Sequence, residues 1–129
     1  MASRINSIPV DCTDAEALAQ FWAEVLGWRV KDRGWQRTEH GPDGVSIAAP
    51  GEDRLEIDFR WTPDGPPKEK NRLHFDINPT DRDQESELVR LLALGARRVD
   101  VGQRSDSTWF VLADPEGNVF CLCYSRVAP

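Results

Sequence analysis

Three short stretches carry side chains able to do chemistry, and each sets them at alternate positions. Glu56, Asp58 and Arg60 alternate with Leu55, Ile57, Phe59 and Trp61. His74 and Asp76 alternate with Leu73, Phe75 and Ile77. Cys121 and Cys123 alternate with Phe120 and Leu122. A period of two belongs to a strand with one buried face, so the polar sets are expected on the opposite face. There His74, beside carboxylates, is suited to general acid–base work near neutral pH. Glu56 is its expected partner in catalysis, and Arg60 is placed to grip an anionic group through parallel N–H bonds. The competing roles are structural: a histidine bonded to Asp76 or Glu56, and a cysteine serving as a small buried hydrophobe. Trp35, Trp61 and Trp109 fall in or beside these stretches. They would either wall a pocket for a flat ligand or fill the core or a subunit contact.

The elements that must position these groups can be read in order. A strand is predicted over 5–11. Thr13-Asp14-Ala15-Glu16 reads as a capping box, in which Thr13 and Glu16 each satisfy an amide of the first turn. Leu18, Phe21, Trp22, Val25 and Leu26 then recur at helical spacing, and Gly27 stops the helix. Strands follow at 28–31, 45–48 and 55–61, with an irregular segment at 32–44 that contains His40, read as a solvated loop residue. Cys12, just before the helix, reads as structural. The stretch 62–71, with Pro63, Gly65, Pro66 and Pro67, reads as a linker. A strand over 72–77 leads to a second helix opened by Pro79-Thr80-Asp81, striped with Leu88, Leu91, Leu92 and Leu94 and closed by Gly95. Strands at 97–101, 108–112 and 119–124 complete the chain. The last is entered through Asp114-Pro115-Glu116-Gly117-Asn118, a turn in which Pro115 presets the backbone and Gly117-Asn118 tolerates positive φ.

The order strand, helix, three strands occurs twice. Asp14 and Asp81, at the helix starts, stand 67 residues apart; Gly27 and Gly95 stand 68 apart; Pro50 and Pro115 stand 65 apart. One such half has too little core to be stable alone, so the two must share a sheet within one chain or between chains. The expected fold class is therefore α+β, with two βαβββ modules forming a curved mixed sheet. The modules span 4–61 and 72–125 of a single domain, 1–129. Each helix covers one face of its sheet, and the other face forms a concave, polar-lined cup.

Asp-Pro-Glu-Gly-Asn before an alternating final strand, Leu26-Gly27-Trp28 after a helix carrying Phe21-Trp22, and Leu73-His74-Phe75-Asp76 before the second helix occur in fixed order over nearly the whole chain. In these motifs the sequence resembles the glyoxalase/bleomycin-resistance/dioxygenase superfamily, the vicinal oxygen chelate fold. The resemblance implies a divalent metal in the cup, held from the first and fourth strands of each module. Counting seven residues back from Asp14 and Asp81, and six on from Pro50 and Pro115, fills those positions with Ser7, His74, Glu56 and Cys121. Ser7 is a poor ligand for a hard ion, and a thiolate suits zinc better than magnesium or manganese. The expectation is thus no metal cofactor; if one binds, it is zinc on Glu56, His74 and Cys121.

Composition bounds the partners. A formal net charge of −6 across 129 residues argues against nucleic acid, which calls for a basic face. The start of the chain lacks an apolar run of signal-peptide length, and no segment is apolar enough to span a bilayer. Three cysteines, two of them on one strand face in poor geometry for a mutual disulfide, suit reduced thiols in the cytoplasm. The expected protein is a cytoplasmic homodimer holding a small aromatic or cationic molecule in the cup, lined by Ser7, Asp58, Arg60, Asp76, Cys121, Trp35, Trp61 and Trp109. The rival expectation is a metal-dependent lyase, isomerase or dioxygenase using His74, Glu56 and Cys121.

Overall fold

The computed structural model describes residues 2–34, 36–39, 41–51 and 54–129, with Arg37 described in its backbone only. Trp35 and His40 lie outside the described residues. The chain divides between Pro66 and Pro67 into two compact units, inside the proline-rich stretch 62–71.

The first unit contains β1 (Ile8–Cys12), α1 (Ala15–Leu26), β2 (Arg29–Arg33), a small hairpin of β3 (Arg37–Thr38) and β4 (Gly41–Pro42), β5 (Gly44–Ala48) and β6 (Glu56–Trp61). Its main sheet runs β1-β6-β5-β2. The β1–β6 pair is parallel and the others antiparallel. Helix α1 opens at Asp14, whose carboxylate accepts from the Ala17 N–H at 3.0 Å. The N-cap is thus Asp14, in extended backbone (φ −137°) directly ahead of the first turn, one residue after the Thr13 expected there. Glu16 is drawn to Gln20 and Arg33. Gly27 ends the helix in the left-handed region (φ 67°), the conformation expected of it. Leu18, Phe21, Trp22 and Val25 are buried, and α1 packs on β5 and β6. Along β6, Ile57 and Phe59 are buried while Glu56, Asp58 and Arg60 are not. Leu55, expected on the apolar face, precedes the strand and is exposed. Full burial of Phe59 contributes about 2–3 kcal/mol.

The second unit repeats the plan: β7 (Asp76–Ile77), α2 (Gln84–Leu94), β8 (Arg97–Arg98), β9 (Phe110–Ala113) and β10 (Val119–Leu122), in the order β7-β10-β9-β8. Again the first and fourth strands pair in parallel and the rest antiparallel. The fold class is α+β, in two βαβββ units of the same topology.

Its strands are shorter than alternation predicts, and side chains account for the difference. The Asn71 side chain occupies both the N–H and the C=O of Val119, where an extended β7 would have paired. The Gln103 side chain accepts from the Val101 N–H, which stops β8 early. The Gln84 amide takes the Thr108 carbonyl at 2.8 Å, so β9 begins only at Phe110. Helix α2 also starts later than expected. Asp81 is bound to Arg82, and the N-cap is Asp83, accepting from the Ser86 N–H at 2.8 Å. The Arg82 guanidinium beside Asp81 lowers that carboxyl's pKa, and the Ser86 amide lowers that of Asp83.

Candidate functional site

The face of the second sheet opposite α2 is where the chemistry gathers. Phe120 and Leu122 of β10 are buried toward the core, so Cys121 and Cys123 stand on the other side with Val119. Cys121 lies directly opposite Asp76 in the parallel β7–β10 register. The ladder continues past both strand ends, with the Cys121 N–H on the Phe75 carbonyl at 2.9 Å and the Cys123 N–H on the Ile77 carbonyl at 2.8 Å. His74 stands two residues before Asp76 on the same side, its Nε2 3.3 Å from Asp76 Oδ1. Donor atoms of His74, Asp76 and Cys121 all lie within 4.8 Å of one another. They line an open hollow of about 690 Å³ together with Lys70, Trp109 and Tyr124. That volume is in the range of small-molecule sites.

The register revises how the two modules correspond. In the first unit, Ile8 lies opposite Ile57, which sets Ser7 beside Glu56 one step back along both strands. In the second unit the residue opposite Cys121 is Asp76. Counting seven residues back from the observed N-cap Asp83 also reaches Asp76, whereas the same count from Asp81 had reached His74. The interval from first-strand position to N-cap is thus the same in both units, and in the second it passes through Pro79, which is buried and whose carbonyl accepts from the Val127 N–H.

The other expected site residues belong to the first unit and are engaged locally. Glu56 is ion-paired with Lys31. Asp58 accepts from the Ser46 hydroxyl at 2.7 Å. Arg60 is exposed, and its backbone carbonyl lies 3.4 Å from the Cys12 thiol. Trp61 is half-buried at the end of β6, and Ser7 is half-buried just before β1. In the second unit His74, Asp76, Cys121 and Trp109 are gathered at one hollow.

Electrostatics at the hollow favour a protonated thiol. Burial pushes the Cys121 pKa up, the Asp76 carboxylate and the Cys123 thiol push it further, and Lys70 opposes them. Cys123 is raised by burial and by Asp76. The donor set of imidazole, carboxylate and sulfur matches zinc in number and kind, with three protein ligands leaving a fourth position for a small molecule. Two adjustments would be needed to load it. The thiol would lose its proton, and the donors would draw in to the roughly 3.5 Å separations that bonds of about 2.0–2.3 Å impose.

Sequence reasoning did not find Lys70, Asn71, Gln84 or Tyr124. Lys70 and Asn71 sit in a stretch whose prolines and charges read as linker. Tyr124 follows the strand end, where alternation no longer assigns a side. Gln84 opens a helix, a position with no signal for burial, yet it is buried and bonds the Thr108 and Leu122 carbonyls.

The model of the glyoxalase-like domain matches residues 7–123. Among solved structures, the fosfomycin resistance protein FosX from Mesorhizobium loti superposes with a TM-score of 0.67 at 13% identity, covering 98% of this chain and 95% of that one. FosX from Listeria monocytogenes, solved in complex with Mn(II) and sulfate, gives 0.67 at 15% identity, covering 98% and 96%. A glyoxalase/bleomycin resistance protein/dioxygenase family enzyme from Burkholderia phytofirmans PsJN gives 0.56 at 18% identity, covering 93% and 97%. At these identities the likeness is one of fold. No curated protein matches the sequence.

Proposed function

The chain belongs to the glyoxalase-like domain family, within the vicinal oxygen chelate superfamily, and from that premise we propose that it binds a flat aromatic small molecule in the second unit's hollow without a catalytic metal. The observation that carries this is the hollow itself: about 690 Å³, with Trp109 and Tyr124 exposed in its lining beside the polar groups of His74, Asp76 and Cys121. Exposed aromatic surface in a concavity is what a flat ligand covers, and the few polar groups fix its orientation. Of the two ligand types expected from sequence, the aromatic one is favoured because Asp76 shares the hollow with Lys70 and His74, leaving no net negative lining for a cation. In this role His74 and Asp76 serve as a hydrogen-bonding pair for the ligand and Cys121 as a neutral wall. We also take the protein to be a cytoplasmic homodimer; sedimentation equilibrium returning a single-chain mass would remove the dimer.

The His74, Asp76 and Cys121 cluster favours a second function, a zinc-dependent lyase, isomerase or dioxygenase. Those three residues would hold the ion, which when bound would act as a Lewis acid toward a substrate oxygen. Lys70 would then orient an anionic substrate group, and the aromatic walls would exclude water.

The neutral probe N-phenyl-1-naphthylamine separates the two. Sequestration predicts saturable fluorescence enhancement that survives a chelator and is weakened by Trp109→Ala. Stoichiometric zinc retained through purification, with probe binding lost on chelation and in Cys121→Ser, would establish the metal-dependent alternative instead.

A further inference from the structure

A second hollow of about 330 Å³ adjoins the first. Trp109, Gln103 and Val111 line both. The second hollow is also lined by Arg98, Asp100 and Phe110. Arg98, on edge strand β8, lays its guanidinium over the Phe110 ring with 4.9 Å to the centroid. It makes no ion pair among the described residues. The acid in that lining, Asp100, accepts from the Gly102 N–H at 2.8 Å. An arginine stacked on an aromatic face keeps its N–H edge free and gives up little rotamer freedom when it binds an anion.

We propose that the two hollows form one extended site for an aromatic molecule bearing an anionic group, the aromatic body lying against Trp109 and the anion reaching Arg98. This rests on the aromatic-ligand function proposed above and specifies the ligand's chemical class: an aromatic carboxylate, sulfonate or phosphate. Trp109 is the specificity-determining residue, because it lines both hollows. Lys70 lies in the larger hollow and is the competing cation.

Two related probes test this in the full chain at about 0.15 M salt, where distant charges are screened. 1-Anilinonaphthalene-8-sulfonate carries the anion, and N-phenyl-1-naphthylamine is its uncharged counterpart. The sulfonate should bind wild type more tightly than the neutral probe. Arg98→Gln should weaken it about three- to fivefold, the scale of a partly exposed charge pair, and leave the neutral probe unchanged. Unchanged neutral-probe binding also shows that the variant is folded. Equal binding of both probes to wild type would overturn the extended site. So would a loss of sulfonate binding in Lys70→Gln rather than Arg98→Gln, or an equal weakening of both probes by Arg98→Gln. If neither probe binds wild type, the aromatic-ligand function fails, and the extended site fails with it.

Discussion

Asn71 is the residue whose replacement should disturb the second unit most for its size. Its Oδ1 accepts from the Val119 N–H at 2.7 Å, and its Nδ2 donates to the Val119 carbonyl at 3.0 Å and the Leu73 carbonyl at 2.6 Å. One side chain thus substitutes for a strand at the start of β10, and it does so three residues before His74. In Asn71→Ala the two backbone groups of Val119, a buried residue, lose their partners. At about 1–1.5 kcal/mol for each unsatisfied group, the loss is about 2–3 kcal/mol. For a chain of this size that is a fall in Tm of about 6–12 °C. Because the chain divides into two units, a single melting curve can blend two transitions, so the sharper assay is hydrogen exchange. Protection of the Val119, Cys121 and Cys123 amides should drop, while that of the β5 and β6 amides should hold. Asn71→Asp tests the geometry more closely. It keeps the acceptor for the Val119 N–H but turns a carboxylate oxygen toward two carbonyls, so at pH 7 it should be no more stable than the alanine variant. If Asn71→Ala shifts stability by less than about 0.5 kcal/mol, or Asn71→Asp matches wild type, the clamp is not what holds β10 to the His74 segment.

Other outcomes follow from the same contacts. Asp83→Asn should remove part of the acid limb of stability: the Asp83 pKa is lowered in the fold, so its contribution is present above the ordinary 3.8 and disappears as pH falls through the folded value, which urea midpoints against pH would reveal. Cys121 and Cys123 should alkylate slowly with iodoacetamide at pH 7, with rates rising only above the ordinary thiol value of 9.0, and Asp76→Asn should speed Cys121, since that carboxylate helps keep its thiol protonated. For the same reason the two thiols favour the folded state below pH 9.0, and that contribution should fade as pH rises through the folded values. Gly27→Ala should cost about 1 kcal/mol from backbone strain alone, because a Cβ there meets no atom within 4 Å, and Gly27→Asn should cost less.

The repeat was legible because its landmarks are backbone requirements. Gly27 and Gly95 are needed where helices turn back at positive φ, and a proline sets each third-to-fourth-strand turn. Alternation over 56–61 and 120–123 was legible because one face of each sheet is buried, and burial cannot be satisfied by a register shifted by one residue. What the sequence concealed were choices among near-equivalent polar residues. Thr13, Asp14 and Glu16 can each cap a helix start, and Asp81 and Asp83 are both plausible openers. The winner depends on backbone dihedrals and on what else competes for the carboxylate; Arg82 took Asp81, leaving Asp83 to cap. The turn at Asp114 showed the same limit. Pro115 and Gly117 announced a turn, but nothing announced that the Asp114 carboxylate would be buried and accept from the Glu116 and Asn118 amides and the Asn118 side chain.

That capping error propagated directly into the site. Moving the start of α2 from Asp81 to Asp83 moves the first-strand position from His74 to Asp76, and with it the group facing Cys121 from an imidazole to a carboxylate. The chemical consequence is large, because a carboxylate pushes a thiol's pKa up whereas an imidazolium would pull it down. A cysteine facing a histidine is a candidate nucleophile or ready metal ligand; here burial first, and the facing Asp76 carboxylate next, hold Cys121 as a neutral thiol. Asp76→His would recreate the arrangement read from sequence. In that variant Cys121 should alkylate faster than wild type near neutral pH, and zinc affinity should rise by about tenfold or more as the thiolate becomes easier to form. If alkylation and zinc affinity stay at wild-type levels, the facing residue does not govern the thiol, and burial alone must account for its resistance to ionisation.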